Sequence, residues 1–229
     1  MKEKLIIVGV GATACRIYRF VKMYDLYDVI GFAVDKKYIK ENVFMNLPVY
    51  ELENIQEIAN QNKALLFVSI FWNNLNKDRR MLYERLKSKG LKFANIISPT
   101  AIIRGEIKGD NCWINDYVII QSDAVVESDV FIMDTAFIGN EARIGNHTFI
   151  ASAKIGGGAI IGEQCFVGIN AVVFDDTIVG NRCIVGACVA LKRNIPDNTV
   201  CKISGDNIIL KEYSDDIIES KLRANHNVR

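Results

Sequence analysis

Two hydrophobic patterns divide this chain. From Lys4 to about residue 95, strand-sized apolar runs alternate with segments of helical spacing. "KLIIVGV", "DVIGFAVD" and "ALLFVSIF" read as buried strands, and "KFANII" closes the set. Between them, "TACRIYRFVKMYD" carries Ile17, Phe20, Val21 and Tyr24 on one helical face, and "ELENIQEIANQN" reads as a short helix. "NLNKDRRMLYERLKSKG" has a candidate Asn cap, apolar positions at Leu75, Leu82 and Leu86, and a stop at Gly90. Such alternation predicts a small parallel sheet flanked by helices.

Beyond Pro99 the helical period disappears. Apolar residues stand at Ile114, Ile120, Val126, Ile132, Ile138, Ile144 and Ile150, a six-residue step without a break. After a slip of one, the step resumes at Ile155, Ile161, Val167 and Val173, and a second slip leads to Ile178 and Ile184. An isolated alternating strand does not produce this spacing, and a sandwich or jelly roll would not hold one step so long. The pattern predicts a solenoid whose coil has three short flat sides, each with one inward anchor. Gly139, Gly145, Gly162, Gly168 and Gly186 follow anchors and suit tight corners, as do Asp110, Asn146 and Asn181.

The reading is therefore an α/β Rossmann-like domain over 1–95, an all-β solenoid over 96–205 and a tail over 206–229. In the tail, Ser214-Asp215-Asp216 followed by Ile217, Ile218 and Leu222 predicts a short helix that caps the open end of the solenoid.

Charge and composition narrow the partners. Of 229 residues, 28 are basic and 27 acidic, for a net charge of +1 and no long like-charge block. Nothing in this balance favours nucleic acid or a membrane surface, and no apolar run is long enough for a membrane-spanning helix. Glycines and Arg16 interrupt the N-terminal apolar run, which argues against a cleaved signal peptide. Six cysteines are scattered without a C-x-x-C pair, the expectation for reduced thiols in the cytoplasm. With two histidines, one of them His226 in the tail, no three-histidine zinc site can be assembled, and no metal is expected.

Gly9, Gly11 and Ala14 spell G-x-G-x-x-A between the first strand and the first helix, and Asp35 follows at the end of the second strand. Glycines there let backbone N–H groups approach phosphate or sugar oxygens, and the carboxylate can accept from a ribose or base. Gly9, Gly11, Ala12, Asp35 and Lys36 are the candidate substrate-binding residues. The alternative is that the glycines only permit a tight turn. An NAD enzyme is disfavoured, because about 95 residues make only half of a dinucleotide fold.

A Rossmann-like domain followed by hexapeptide repeats resembles the bacterial sugar O- and N-acyltransferases of the PglD and sialic acid O-acetyltransferase type. The resemblance rests on "IIVGVGATA", "GFAVDKKY", "LPVYELENI", "FANIISPTAII", "IGEQCFVGINAVV" and "IPDNTV". It implies a left-handed parallel β-helix, a homotrimer, acetyl-CoA or another acyl-CoA held between neighbouring helices, and a nucleotide-linked amino sugar on the N-terminal domain. It also implies a histidine base after an Ile-Gly corner with an acidic neighbour. Here the matching residues are Asn140 and Glu141, and a second expected histidine is Phe149.

Three readings follow. An amine acceptor is acylated without a dedicated base, with Asn140 binding the acceptor or the oxyanion; the protein binds ligands without turnover; or Glu141 is the base. A hydroxyl acceptor suffers most from loss of the base, so N-acylation ranks above O-acetylation. By the same resemblance the cofactor contacts are Phe149, Gly158, Gly168, Asn170, Gly186, Cys188 and Lys192. Cys183 and Cys188 read as coil filler rather than nucleophiles.

Overall fold

The computed structural model describes residues 2–204 and 207–222. The chain divides into two compact units, Met1–Phe71 with Met81–Ile96, and Trp72–Arg80 with Ile97–Arg229.

In the first unit, strand β1 (Lys4–Val8) is central and parallel to β2 (Asp28–Val34) and β5 (Leu65–Val68). A short β3 (Val43–Phe44) turns back on β4 (Leu47–Glu51), which runs parallel to β2, giving the order β3-β4-β2-β1-β5. Helix α1 (Ala12–Met23) buries Ala14, Ile17, Phe20 and Val21, the stripe its spacing predicts. Helix α2 (Ile55–Asn62) ends on a left-handed Lys63. Helix α3 spans Lys77–Lys87, and its Tyr83 and Leu86 join the core built on β1 and β5. Leu75 lies outside this helix and belongs to the second unit.

In the second unit, strands two residues long stack in parallel on three faces. Face I holds Ile102–Ile103, Ile119–Ile120, Phe137–Ile138, Lys154–Ile155, Val172–Val173 and Ala190–Leu191. Face II holds Glu106–Ile107, Val125–Val126, Arg143–Ile144, Ile160–Ile161 and Ile178–Val179. Face III holds Trp113–Ile114, Phe131–Ile132, Phe149–Ile150, Phe166–Val167, Ile184–Val185 and Thr199–Ser204. In the two-residue strands the second residue, for example Ile120 over Ile138 over Ile155, points inward and is buried, only partly so at Ile103 and Ile107. Eighteen residues separate Ile120 from Ile138, so one coil is three six-residue sides.

The slip after Ile150 is real; the second slip is not. Ile161 pairs with Val179 and Val167 with Val185, so the step continues through Val179, Val185 and Leu191. Ile178 is 44% exposed on the outside of face II, and Ile184 is buried on the outside of face III. Both positions are apolar doublets, and ladder register decides which member turns inward.

Corners turn through a residue of positive φ, and almost all of these are not glycine. Asn111, Asp129, His147, Gln164, Arg182 and Asn198 occupy the corner between faces II and III. Tyr117, Thr135, Ser152, Asn170 and Cys188 occupy that between III and I. Asp123, Glu141, Gly158 and Asp176 occupy that between I and II. The glycines after anchors have another reason: a Cβ on Gly139 would stand 2.5 Å from Gly157 N, and one on Gly168 2.6 Å from Ala187 N. Coil-to-coil stacking, rather than φ, excludes side chains there.

The tail helix α4 (Asp215–Ile218) does not cover the open end. Its Ile218 is buried against Leu75 and Ile184, with Phe166 and Val200, on the outside of face III.

Candidate functional site

In the first unit, Gly9 and Gly11 play different parts. Gly9 has φ +127 and donates to Ala33 O at 2.7 Å, and a Cβ on it would collide with the Ser69 hydroxyl. The fold itself demands glycine at that position. Gly11 caps α1 with φ −98, and a Cβ built there meets nothing within 4 Å. It borders a cavity of about 410 Å³ whose lining mixes the apolar Val10, Ile39, Val43 and Phe44 with the Tyr38 ring and the charged Lys40 and Glu41. Ala12, the first residue of α1, is exposed beside it, and the first turn of the helix carries no acidic side chain to compete for its N–H groups. A ring-bearing cavity of mixed lining against a helix N-terminus is chemically suited to a base or sugar with a phosphate next to it.

Asp35 and Lys36 lie on a second cavity of about 500 Å³, with Lys37, Glu53 and Arg85. Asp35 accepts from Arg85 at 2.8 Å, Lys36 Nζ is 3.1 Å from Glu51, and the Lys36 N–H donates to Glu53. Both side chains are thus already engaged with protein partners, and the structure brings Gly11, but not Asp35 or Lys36, to the lining of the cavity at the glycine turn.

In the second unit the candidate residues fall on two edges and one face. Asn140, Glu141 and Gly158 stand on the edge between faces I and II, with Gly158 N–H donating to Asn140 O at 2.8 Å. Asn140 and Glu141 are both exposed, and Glu141 turns the corner at φ +61. Lys192 follows Leu191 on the same edge, three coils above Asn140, its ammonium 4.9 Å from the centre of the Phe174 ring. Asn170 and Cys188 are exposed on the edge between faces III and I, with Gly168 and Gly186 just inside them. Cys188 is therefore not coil filler; Cys165 and Cys183 are. One whole side of the coil, six residues or about 20 Å of extended chain, separates the two edges.

Phe149 is on neither edge. It is fully buried outside face III in a ladder of rings, stacked on Phe166 at 5.6 Å and 13°, and edge-on to Trp72 at 4.9 Å. Phe131 and Trp113 continue the ladder below it. The expected cofactor contact at Phe149 is corrected on this ground: residues 72–80 and its own ladder neighbours cover the ring, and an acyl arm has no access to it in the chain.

What the sequence reading passed over is the network beside this ladder. Asp129 and His147 occupy the same corner column, eighteen residues apart, and His147 Nδ1 lies 2.9 Å from Asp129 Oδ2. Arg79, with no exposed surface, donates from Nε to Asp129 Oδ1 at 3.0 Å and from Nη2 to Asp129 O and His147 O, and it lies 4.1 Å over the Phe131 ring. Asn111 Nδ2 also donates to Asp129 Oδ1, at 2.6 Å. Burial pulls the Arg79 pKa down, and the adjacent Asp129 carboxylate opposes that shift. His147 is 7% exposed and tied to Asp129, which gives it a role in the wall rather than at an edge. His226 lies outside the described residues.

Among the described residues, no group of three potential metal ligands occurs, and no helix is long and apolar enough to cross a membrane.

No protein-family model matches the chain, and neither does any curated protein. Solved structures do. PerB from Caulobacter crescentus, solved with CoA and GDP-perosamine, aligns with TM-score 0.77 and 21% identity over 91% of this chain and 97% of that one. A histidine-to-asparagine variant of the C. crescentus perosamine N-acetyltransferase, with the same ligands, aligns with TM-score 0.61 and 21% identity over 92% and 97%. The acetyltransferase domain of PglB from Neisseria gonorrhoeae aligns with TM-score 0.74 and 20% identity over 87% and 96%. The chain therefore has the fold of these proteins, an α/β domain followed by a left-handed parallel β-helix.

Proposed function

We propose that this protein is an acyl-CoA-dependent N-acyltransferase, using acetyl-CoA on a nucleotide-linked amino sugar for surface glycan synthesis in the cytoplasm. The observation that carries the reading is the likeness, over nine-tenths of the chain, to an enzyme solved with CoA and GDP-perosamine. The features of this chain agree with it. The first unit offers a nucleotide-sized cavity at a glycine turn, bordered by Gly11. The β-helix carries its small, exposed corner residues on two separate edges, so a groove using both takes one edge from each of two copies. Faces I and II also leave Ile102, Ile160 and Ile178 between 39% and 46% exposed, apolar area that a homotrimer would cover.

In this reading the amine nitrogen attacks the thioester carbonyl, the N–C bond forms, the C–S bond breaks and CoA leaves. One nitrogen proton has to be removed. Asn140, at the exposed corner, supplies a carboxamide that hydrogen-bonds the acceptor or the developing oxyanion, a contribution worth about 3 kcal/mol where such donors are removed from other enzymes. A sugar amine needs less help than a hydroxyl, which favours N- over O-acylation in a site without imidazole.

Binding without turnover is the second reading, and one observation favours it: the asparagine variant of the C. crescentus enzyme still holds CoA and GDP-perosamine. Calorimetric titration with acetyl-CoA, followed by thiol release with GDP-perosamine as acceptor, separates the two. Saturable binding with thiol release supports the enzyme, binding alone supports the second reading, and no binding at millimolar acetyl-CoA rejects both. Light scattering should give about 77 kDa, three times the 25.7 kDa chain.

A further inference from the structure

The run Gly156-Gly157-Gly158 sits in the coil directly above Asn140 and Glu141. Its last two glycines are not of the kind that stack against backbone. Gly158 has φ +66, but the other corners of its column, Asp123, Glu141 and Asp176, adopt the same φ with full side chains. What a Cβ on Gly158 would strike is the Asp176 carboxylate oxygen, whereas one on Gly156 would strike the backbone of Phe174 and Asp175 as well as the Asp175 carboxylate. The carboxylates of the coil above thus bend down into the space the glycines leave. Asp175 Oδ1 accepts the Gly157 N–H at 2.7 Å, which fixes that side chain to the coil below. Asp176 has no such anchor to its side chain, and its N–H bonds to Gly157 O at 2.9 Å. A glycine notch one coil deep therefore separates a carboxylate from the turn that carries Asn140, at the position where the expected imidazole is missing.

We infer that Asp176 is a catalytic residue that holds the neutral acceptor amine and takes the proton it loses on acylation, replacing the absent histidine. The inference rests on the N-acyltransferase reading. As nitrogen bonds to the thioester carbon and sulfur leaves, one N–H proton passes to the Asp176 carboxylate and on to the departing CoA thiolate, so the products are the amide and free CoA. The charged groups around Asp176 are Glu141 beneath the notch, Asp175 beside it, and Lys192 and Arg193 in the coil above. Asn140 then keeps the orienting role, and Glu141 adds negative potential without contacting the proton.

The test is thiol release from acetyl-CoA, measured from pH 5 to 9 on the wild type and on Asp176→Asn, Asp176→Glu, Asp123→Asn and Gly158→Ala. GDP-perosamine is the acceptor, with glucosamine at high concentration as a second one. Asp176→Asn should lower kcat by about a hundredfold across this range and leave the KM for acetyl-CoA within twofold. Asp176→Glu should recover part of the rate. Asp123→Asn, the same charge change in the same column below Glu141, should change nothing. Gly158→Ala should displace the carboxylate and reproduce the loss while Asp176 is still present. Turnover by Asp176→Asn within threefold of the wild type overturns the assignment and leaves the acyltransferase reading standing. A wild type that binds acetyl-CoA yet acylates neither amine overturns both.

Discussion

Removing Arg79 should cost the β-helix a large fraction of its stability, because the guanidinium is spent entirely inside the wall. It makes hydrogen bonds to the Asp129 carboxylate, Asp129 O and His147 O at 3.0 to 3.1 Å, and covers the Phe131 ring. Deleting one partner of a buried ion pair typically costs about 3–5 kcal/mol, since the other charge is left in a low-dielectric site. Asp129 is not fully stranded in Arg79→Met, because Asn111 and His147 still reach its two oxygens. The lower end, about 3 kcal/mol, is the expectation, or a fall in Tm of roughly 6–12 °C for a chain of this size. Asp129→Asn alone should cost a similar amount by stranding the arginine. The double variant should cost less than the sum by about 2 kcal/mol, the coupling of the pair. Guanidinium unfolding followed by tryptophan fluorescence is the direct assay at fixed protein concentration, since both tryptophans, Trp72 and Trp113, belong to the adjoining ring ladder. A loss below about 1 kcal/mol in Arg79→Met, or strict additivity in the double variant, would refute this account of the network.

Phe149→His should destabilise by about 2–4 kcal/mol in the same assay, because an imidazole replaces a buried ring with no partner provided for its N–H, and it should bring no gain in turnover. Gly9→Ala should lower stability by about 1–3 kcal/mol through its strained φ and the Ser69 hydroxyl, whereas Gly11→Asn should leave stability within about 0.5 kcal/mol and weaken binding of GDP, measured by calorimetry, at least tenfold. In native protein, a thiol reagent at pH 8 should modify Cys188 quickly and leave Cys112 and Cys165 unmodified: burial pushes the Cys112 thiol up to about 12 and raises that of Cys165 as well, and neither is exposed.

The β-helix was legible in the sequence because every side of the coil must turn one apolar residue inward, and side after side repeats that demand. Legibility failed where two apolar residues stood together. At Ile178-Val179 and Ile184-Val185 either residue satisfies the pattern, and only pairing with Ile161 and Val167 selects the valines. The corner residues were half legible. Glycine after an anchor marks a tight place, but its reason is the coil above, which no local reading contains. Asp129 and His147 could have been placed together from the eighteen-residue coil, had the six-residue step been multiplied by three. Arg79 could not, because residues 72–80 join the solenoid from a stretch whose own pattern is helical. The Phe149 position was read as a cofactor contact because its sequence neighbours fit an active-site motif. Its partners, Trp72 and Phe166, are brought to it by the fold.

The corner geometry also has a bearing on engineering. Thr135 at φ +63 and Tyr117 at φ +57 hold a branched or bulky side chain in a conformation that asparagine and glycine accept far more readily. Each such residue carries strain on the order of 1 kcal/mol that the stacked coils tolerate. Both lie below the coils that bear Asn170 and Cys188. Substituting asparagine at these corners offers a way to make the protein hardier while leaving the coils that bear Asn170 and Cys188 alone.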